Sequence, residues 1–159
     1  MNSKLVTSKN FSSLLKTLKK KNKRIVFTNG CFDLIHPGHI KLLKEAHKFG
    51  DILILGLNSD SSIKKIKGAS RPILNQKARI EIFSSIEFID YIVIFNEATP
   101  FRLIKKIRPD VLVKGADWQK ANIIGRKFVE NYAGKVKTVK LKKGYSTSAI
   151  IERIKKLAR

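Results

Sequence analysis

The chain has 159 residues, an apolar fraction of 43% and a formal net charge of +22, which is one domain's worth of chain with ordinary hydrophobic content. No apolar run reaches the eighteen residues expected of a membrane-spanning helix, and the first stretch, MNSKLVTSKNFSSLLKTLKKKNKR, lacks the apolar core and small-residue cleavage site of a secretory signal. Cys31 is the only cysteine, which excludes an intrachain disulfide and fits a reducing cytoplasm.

Phe11, Leu14, Leu15 and Leu18 recur at helical spacing, so residues 9–21 are expected to form an amphipathic lead-in helix. Five short runs rich in Ile and Val follow: IVFTN at 25–29, ILILGL at 52–57, YIVIF at 91–95, VLVKG at 111–115 and KVKTVKL at 135–141. The first four are continuously apolar, as strands covered on both faces are. Helical patterns lie between and after them, at 37–49, 75–86, 99–107, 122–132 and 146–157. Strands alternating with helices predict a parallel sheet with right-handed crossovers. The expected fold is therefore a single Rossmann-like α/β domain with a five-stranded parallel sheet flanked by helices. In such sheets ligands bind beyond the carboxyl ends of the strands, so site residues should follow strands.

The segment TNGCFDLIHPGH, from Thr28 to His39, follows the first strand. Gly30 allows close approach of a ligand to the strand end, and Pro37 suits the first position of a helix. Free N–H groups and the dipole at that helix start favour a phosphate. His36 and His39 stand about one turn apart and can face the same anion. No G-x-G-x-x-G follows the strand, so this is not the usual dinucleotide turn. Two imidazole donors on one anion suit charge that grows in a transition state. A metal reading fails because neighbouring carboxylates and a third ligand are not at zinc-like spacing. Cys31 is read as a small loop residue and His47 as a structural residue in mid-helix.

Asn58-Ser59-Asp60, Glu97, and Lys114-Gly115-Ala116-Asp117-Trp118 follow the second, third and fourth strands. Beyond the fifth, one of Ser146, Thr147 and Ser148 should cap the last helix, with hydroxyls available to a second set of phosphate oxygens. Between residues 64 and 79 lies a Lys-rich stretch that includes KKIKGASRP; such a run is usually a solvated face, and a mobile Lys-Gly loop can also close over a triphosphate. Asn75 is the expected N-cap of the next helix, with Arg79 one turn inside. The lysines are spread over every helix rather than gathered in a patch, which favours a general composition bias over a nucleic-acid footprint. The field still draws in small polyanions. A basic nucleic-acid-binding module is the rival class, and it leaves the histidines and the terminal hydroxyl cluster unexplained.

Gly30…Phe32-Asp33…His36-Pro37-Gly38-His39, followed by Ser146-Thr147-Ser148, resembles the cytidylyltransferase-like nucleotidyltransferases. VFTNGCFDLIHPGH, GLNSD, KGASRP, RPDVLVKGADW and GYSTSAII resemble, in sequence and order, the heptose 1-phosphate adenylyltransferase branch of that family. The glycerol-3-phosphate cytidylyltransferase branch, which uses CTP, typically carries an R-T-E-G stretch where this chain has Lys142-Lys143-Gly144-Tyr145. The chain is thus expected to divide into an N-terminal lead-in helix segment, 1–23, and a nucleotidyltransferase domain, 24–159; the resemblance covers about residues 24–157 and implies an enzyme joining ATP to D-glycero-D-manno-heptose 1-phosphate for lipopolysaccharide core synthesis. It implies that His36 and His39 stabilise the α-phosphate, that Lys67 holds phosphate charge, and that Arg79, Ser146 and Thr147 grip the triphosphate. Thr28, Asn29, Gly30 and Phe32 then line the nucleotide. Gly115 and Asp117, with Trp118, contact ribose or base, and Asp33 and Asp60 hold sugar hydroxyls. Magnesium arrives with ATP, no resident metal is expected, and a separate sugar kinase supplies the acceptor. Homodimers are common among such small domains.

Overall fold

The computed structural model describes residues 4–116, 118–142 and 144–158. Its elements run α1 (Ser8–Lys20), β1 (Ile25–Gly30), α2 (Pro37–His47), β2 (Ile52–Asn58), α3 (Asp60–Lys67), α4 (Gln76–Ser84), β3 (Tyr91–Phe95), α5 (Phe101–Ile107), β4 (Val111–Gly115), a 3-10 turn at Lys120–Asn122, α6 (Arg126–Glu130), β5 (Lys135–Val139) and α7 (Thr147–Leu157). The five strands form one sheet in the order β3-β2-β1-β4-β5, and every neighbouring pair is parallel. Strand order reverses between β1 and β4, so the crevice at their carboxyl ends is the place where this topology receives ligands.

The continuous apolar runs follow from burial on both faces. Alternate residues of one strand enter different cores: Ile25 and Phe27 point to one layer, and Val26 between them to the other. The first layer joins β-strand residues Ile54, Val93 and Leu112 to Phe11, Leu15 and Leu18 of α1 and to Leu103, Ile104 and Ile107 of α5. The second joins Leu53, Leu55, Leu57 and Val113 to Leu42, Leu43 and Ala46 of α2 and Phe83 of α4. Each fully buried side chain of this size contributes on the order of 1.5–3 kcal/mol. β5 is mostly exposed instead, with Val136 and Val139 buried and Lys135, Lys137 and Thr138 exposed, which suits an edge strand that must not pair with another chain.

The lead-in helix is part of this core rather than an appendage. Ahead of it, Val6 donates its N–H to Ile92 O and Ile92 donates to Lys4 O, so the segment covers the outer edge of β3.

Candidate active site

A cleft of about 400 Å3 opens at the carboxyl ends of β1 and β4. Its walls include Asn29, Gly30, Phe32, His36, His39, Lys67, Gly115, Ser146 and Thr147. The segment after β1, the end of α3, the end of β4 and the start of α7 therefore meet at one place, although they are separated by more than a hundred positions in sequence.

His36 caps α2 and Pro37 follows at the first helical position. The Gly38 N–H donates to His36 Nδ1 at 3.1 Å. That bond makes Nδ1 the acceptor of a neutral ring, so the remaining proton sits on Nε2. The His39 ring stacks on His36 with centroids 3.7 Å apart and planes at 26°, and Phe32 supports it from the side at 4.9 Å. Gly38 makes this stack possible, because a Cβ there would lie 2.9 Å from the His36 ring. Burial lowers the His36 imidazole below its ordinary range. Burial, then the neighbouring His36 and the Lys67 ammonium, push His39 down to about 3. Both rings are thus neutral near pH 7 and act as N–H donors rather than fixed cations.

Several buried polar atoms here have no hydrogen-bond partner among the described residues: Thr28 Oγ1, Asn29 Oδ1 and His39 Nδ1. Buried groups of this kind are ordinarily paired. Asn29 and His39 lie in the cleft wall, whereas Thr28 is fully buried and lies beneath that wall rather than in it. At the other side of the cleft, Ser146 caps α7 by accepting the Ala149 N–H at 3.1 Å. Thr147 Oγ1 reaches Leu34 O at 3.5 Å, which ties the start of α7 to the loop carrying the histidines. Lys114 donates to Asn29 O at 2.9 Å and bridges the ends of β4 and β1.

Three expected ligand contacts are corrected by the geometry. Arg79 is fully buried. Its Nε donates to Leu74 O, one terminal nitrogen donates to both Cys31 O and Asn58 O, and the other donates to Asp60 Oδ1. A guanidinium so engaged cannot grip a triphosphate in the cleft; it ties the ends of β1 and β2 to α4. Asp60 uses one oxygen on Arg79 and the other on the Gln76 N–H, so it does not present its carboxylate to a sugar. Asp33 borders the cleft, yet its carboxylate accepts from Arg71 Nε, Ile73 N and Leu74 N. Burial alone would raise this carboxyl, but those two amides and the guanidinium outweigh it and hold the group below the usual range.

Other expectations shift less. Lys67 ends helix α3 instead of sitting in a loop, and that helix escaped the sequence reading. Asn75 is the N-cap of α4, accepting the Ala78 N–H at 2.9 Å. His47 closes α2 rather than lying in mid-helix. Burial raises the Cys31 thiol, which disfavours a thiolate nucleophile. Trp118 is about half exposed at the cleft wall, where it is joined by Ile66, Ile124 and Tyr145. The apolar wall formed by Ile66 and Ile124 was missed, because two isolated isoleucines carry no periodic signal. Asp117 lies outside the described residues.

The cleft brings paired neutral imidazoles together with the start of α7. Residues 27–153 match the family model described as Cytidylyltransferase-like. The chain belongs to the cytidylyltransferase-like family and is a nucleotidyltransferase. It is 46% identical over 152 residues to the Bifunctional protein HldE of Syntrophotalea carbinolica, covering 96% of this chain and 31% of that protein. It is 51% identical over 138 residues to the protein of the same name from Geobacter sulfurreducens, covering 87% and 28%. The chain thus spans about a third or less of the curated relatives it matches. Among solved structures, the lipopolysaccharide core biosynthesis protein from Thermoplasma volcanium superposes with a TM-score of 0.62 at 27% identity, covering 78% of this chain and 99% of the other. The pantoate-beta-alanine ligase of Francisella tularensis, at 18% identity and a TM-score of 0.66 over 87% and 67%, shares the fold.

Proposed function

We propose that this chain transfers the adenylyl group of ATP to D-glycero-D-manno-heptose 1-phosphate, giving ADP-heptose and pyrophosphate for lipopolysaccharide core synthesis. The observation that carries the reading is the stacked His36–His39 pair at the start of α2, sharing a cleft with the hydroxyl-capped start of α7. The heptose branch is supported by the KGASRP and GYSTSAII stretches and by relatives of the HldE name at about half identity.

The acceptor is already a competent nucleophile, so no covalent enzyme intermediate is needed. An oxygen of the sugar phosphate attacks the α-phosphorus of ATP. One oxygen–phosphorus bond forms as the bond from the α-phosphorus to the bridging oxygen breaks, and the electron pair leaves with pyrophosphate. The protein contributes alignment and electrostatic stabilisation. His36, fixed with its proton on Nε2, donates to an α-phosphate oxygen, and His39 donates alongside it. Lys67 offsets charge on the departing phosphates. The Ser146 and Thr147 hydroxyls and the first N–H groups of α7 hold the triphosphate tail. Asn29, Gly30, Phe32 and Gly115 line the nucleotide, with Trp118 at its edge.

Magnesium belongs to the MgATP substrate in this reading. Among the described residues no group of three His, Cys, Asp or Glu is arranged to hold a metal ion, and the carboxylates of Asp33 and Asp60 are engaged within the protein. Among the described residues no helix is long and apolar enough to cross a membrane. Because the reaction consumes ATP, we place the enzyme in the cytoplasm. A separate kinase supplies the sugar phosphate, and a homodimer is the expected assembly. The deciding experiment measures pyrophosphate release with ATP or CTP against heptose 1-phosphate or glycerol 3-phosphate. Turnover with ATP and the heptose supports the proposal; turnover with CTP alone rejects it in favour of the alcohol-phosphate branch.

A further inference from the structure

The hairpin from α3 to α4 is fastened to the active-site loop at two points. At its base, Asp60 joins the start of α3 to α4, and Arg79 of α4 donates to Cys31 O of that loop at 2.8 Å. At its tip, the fastening is Asp33, which stands between Phe32 and the two histidines. The Asp33 side chain is 2% exposed. Its carboxylate receives Arg71 Nε at 2.6 Å, the Ile73 N–H at 2.8 and 3.0 Å to its two oxygens, and the Leu74 N–H at 2.9 Å. No substrate hydroxyl is needed to satisfy it.

What this fastening controls is the chain leaving Lys67. Ser62 and Ile63 are the buried residues of α3, and Lys64 through Ser70 are exposed, so packing does not fix the far end of the helix. Gly68 follows Lys67 at a φ of +93°, with nothing within 4 Å of where a Cβ would stand. Its N–H donates to Lys64 O at 2.9 Å and its carbonyl accepts from the Arg71 N–H at 3.2 Å, bonds local to this segment, and side chains other than glycine rarely adopt its conformation. Between it and the Asn75 cap of α4, the bonds on Asp33 tie Arg71, Ile73 and Leu74 to the active-site loop, and Leu74 O also accepts from Arg79 Nε of α4. Lys67 meanwhile lines the same cleft as both imidazoles. One carboxylate thus links the loop carrying the histidines to the segment carrying the lysine.

We propose that Asp33 is a positioning residue that sets the separation between Lys67 and the His36–His39 pair, and that it acts on catalysis through Lys67 rather than by touching substrate. The inference rests on the nucleotidyl-transfer reading for its kinetic half, while its structural half is read without turnover.

The test compares the wild type with Asp33→Asn, Lys67→Ala and the double variant. Pyrophosphate release gives kcat and KM, and mass-spectrometric amide exchange follows the peptide containing Ile73 and Leu74. Asp33→Asn is expected to lower kcat by about ten- to a hundredfold, the size of effect produced by a small misplacement of a catalytic group, with faster exchange over that peptide. Lys67→Ala is expected to cost far less in the Asp33→Asn background than in the wild type, because the lysine is already out of place. Arg71→Gln should move all three readouts in the same direction, and it serves if Asp33→Asn does not fold. The proposal is overturned if Asp33→Asn raises only the KM for the sugar phosphate while exchange is unchanged, since the carboxylate then holds substrate. It is equally overturned if the penalties of Asp33→Asn and Lys67→Ala multiply in full. If the wild type uses a nucleotide and acceptor other than ATP and heptose 1-phosphate, the functional reading fails and the same series on the true substrates still decides the role of Asp33.

Discussion

Two polar regions face each other across the end of β1, and they differ in how far their atoms are satisfied. Where the α3–α4 hairpin is fastened to the loop after β1, Asp33, Asp60 and Arg79 have their charged groups engaged by protein partners. In the cradle, Asn29 Oδ1 and His39 Nδ1 are buried with no hydrogen-bond partner among the described residues. Burial of an unpaired polar atom costs about 1–3 kcal/mol, so the two regions serve different ends. The saturated one holds position; the unsatisfied one is where a ligand completes the bonding. Charge alone does not make the distinction, because the hairpin carries formal charges while the cradle's imidazoles are neutral.

The contrast is broken most severely at Arg79. Arg79→Ala should strand the Asp60 carboxylate and three carbonyls, costing about 3–5 kcal/mol as for other broken buried pairs, with a melting temperature lower by roughly 10 °C. A thermal melt little different from the wild type would move Arg79 back among the ligand-binding residues. His39→Ala should do the reverse, leaving the fold intact and lowering kcat by on the order of a hundredfold, as loss of one transition-state donor does. Steady-state kinetics beside a circular dichroism melt separates the two variants. Ser146→Ala is the mixed case. It removes a helix cap worth about 1 kcal/mol and a hydroxyl in the cleft, so a slightly lower melting temperature should accompany a severalfold higher KM for ATP.

The smallest effect is in the response to pH. His39 has a folded-state pKa pushed down to about 3, below the value near 6.5 of an unfolded chain. Between those values the unfolded state binds more protons, so this group's contribution to stability falls as pH drops from about 6.5 toward 3. In the ligand-free protein its ring should not titrate between pH 5 and 8, and the histidine C–H resonances in NMR check this directly.

Most of the fold was legible because strand burial leaves continuous apolar runs and each crossover helix leaves a period. Helix α3 was not. Its sequence DSSIKKIK has one fully buried apolar residue, Ile63, and a solvated lysine run reads as loop. His36, His39 and the Ser146 cap were legible since proline, glycine and hydroxyl residues mark helix starts by local rules. The roles of Asp33, Asp60 and Arg79 were misread for a physical reason. Whether a charge meets a ligand or a backbone amide 40 positions away is decided by tertiary packing, and the residue type is the same in both cases.

Titration of the protein with MgATP under heteronuclear NMR, observing the imidazole N–H groups and the backbone amides of Thr147 and Ser148, addresses the shared cradle directly. Joint displacement of both histidine signals and both amides, along one saturation curve, is the predicted result. Saturation with ATP that moves the α7 amides and leaves both imidazoles unchanged would contradict it.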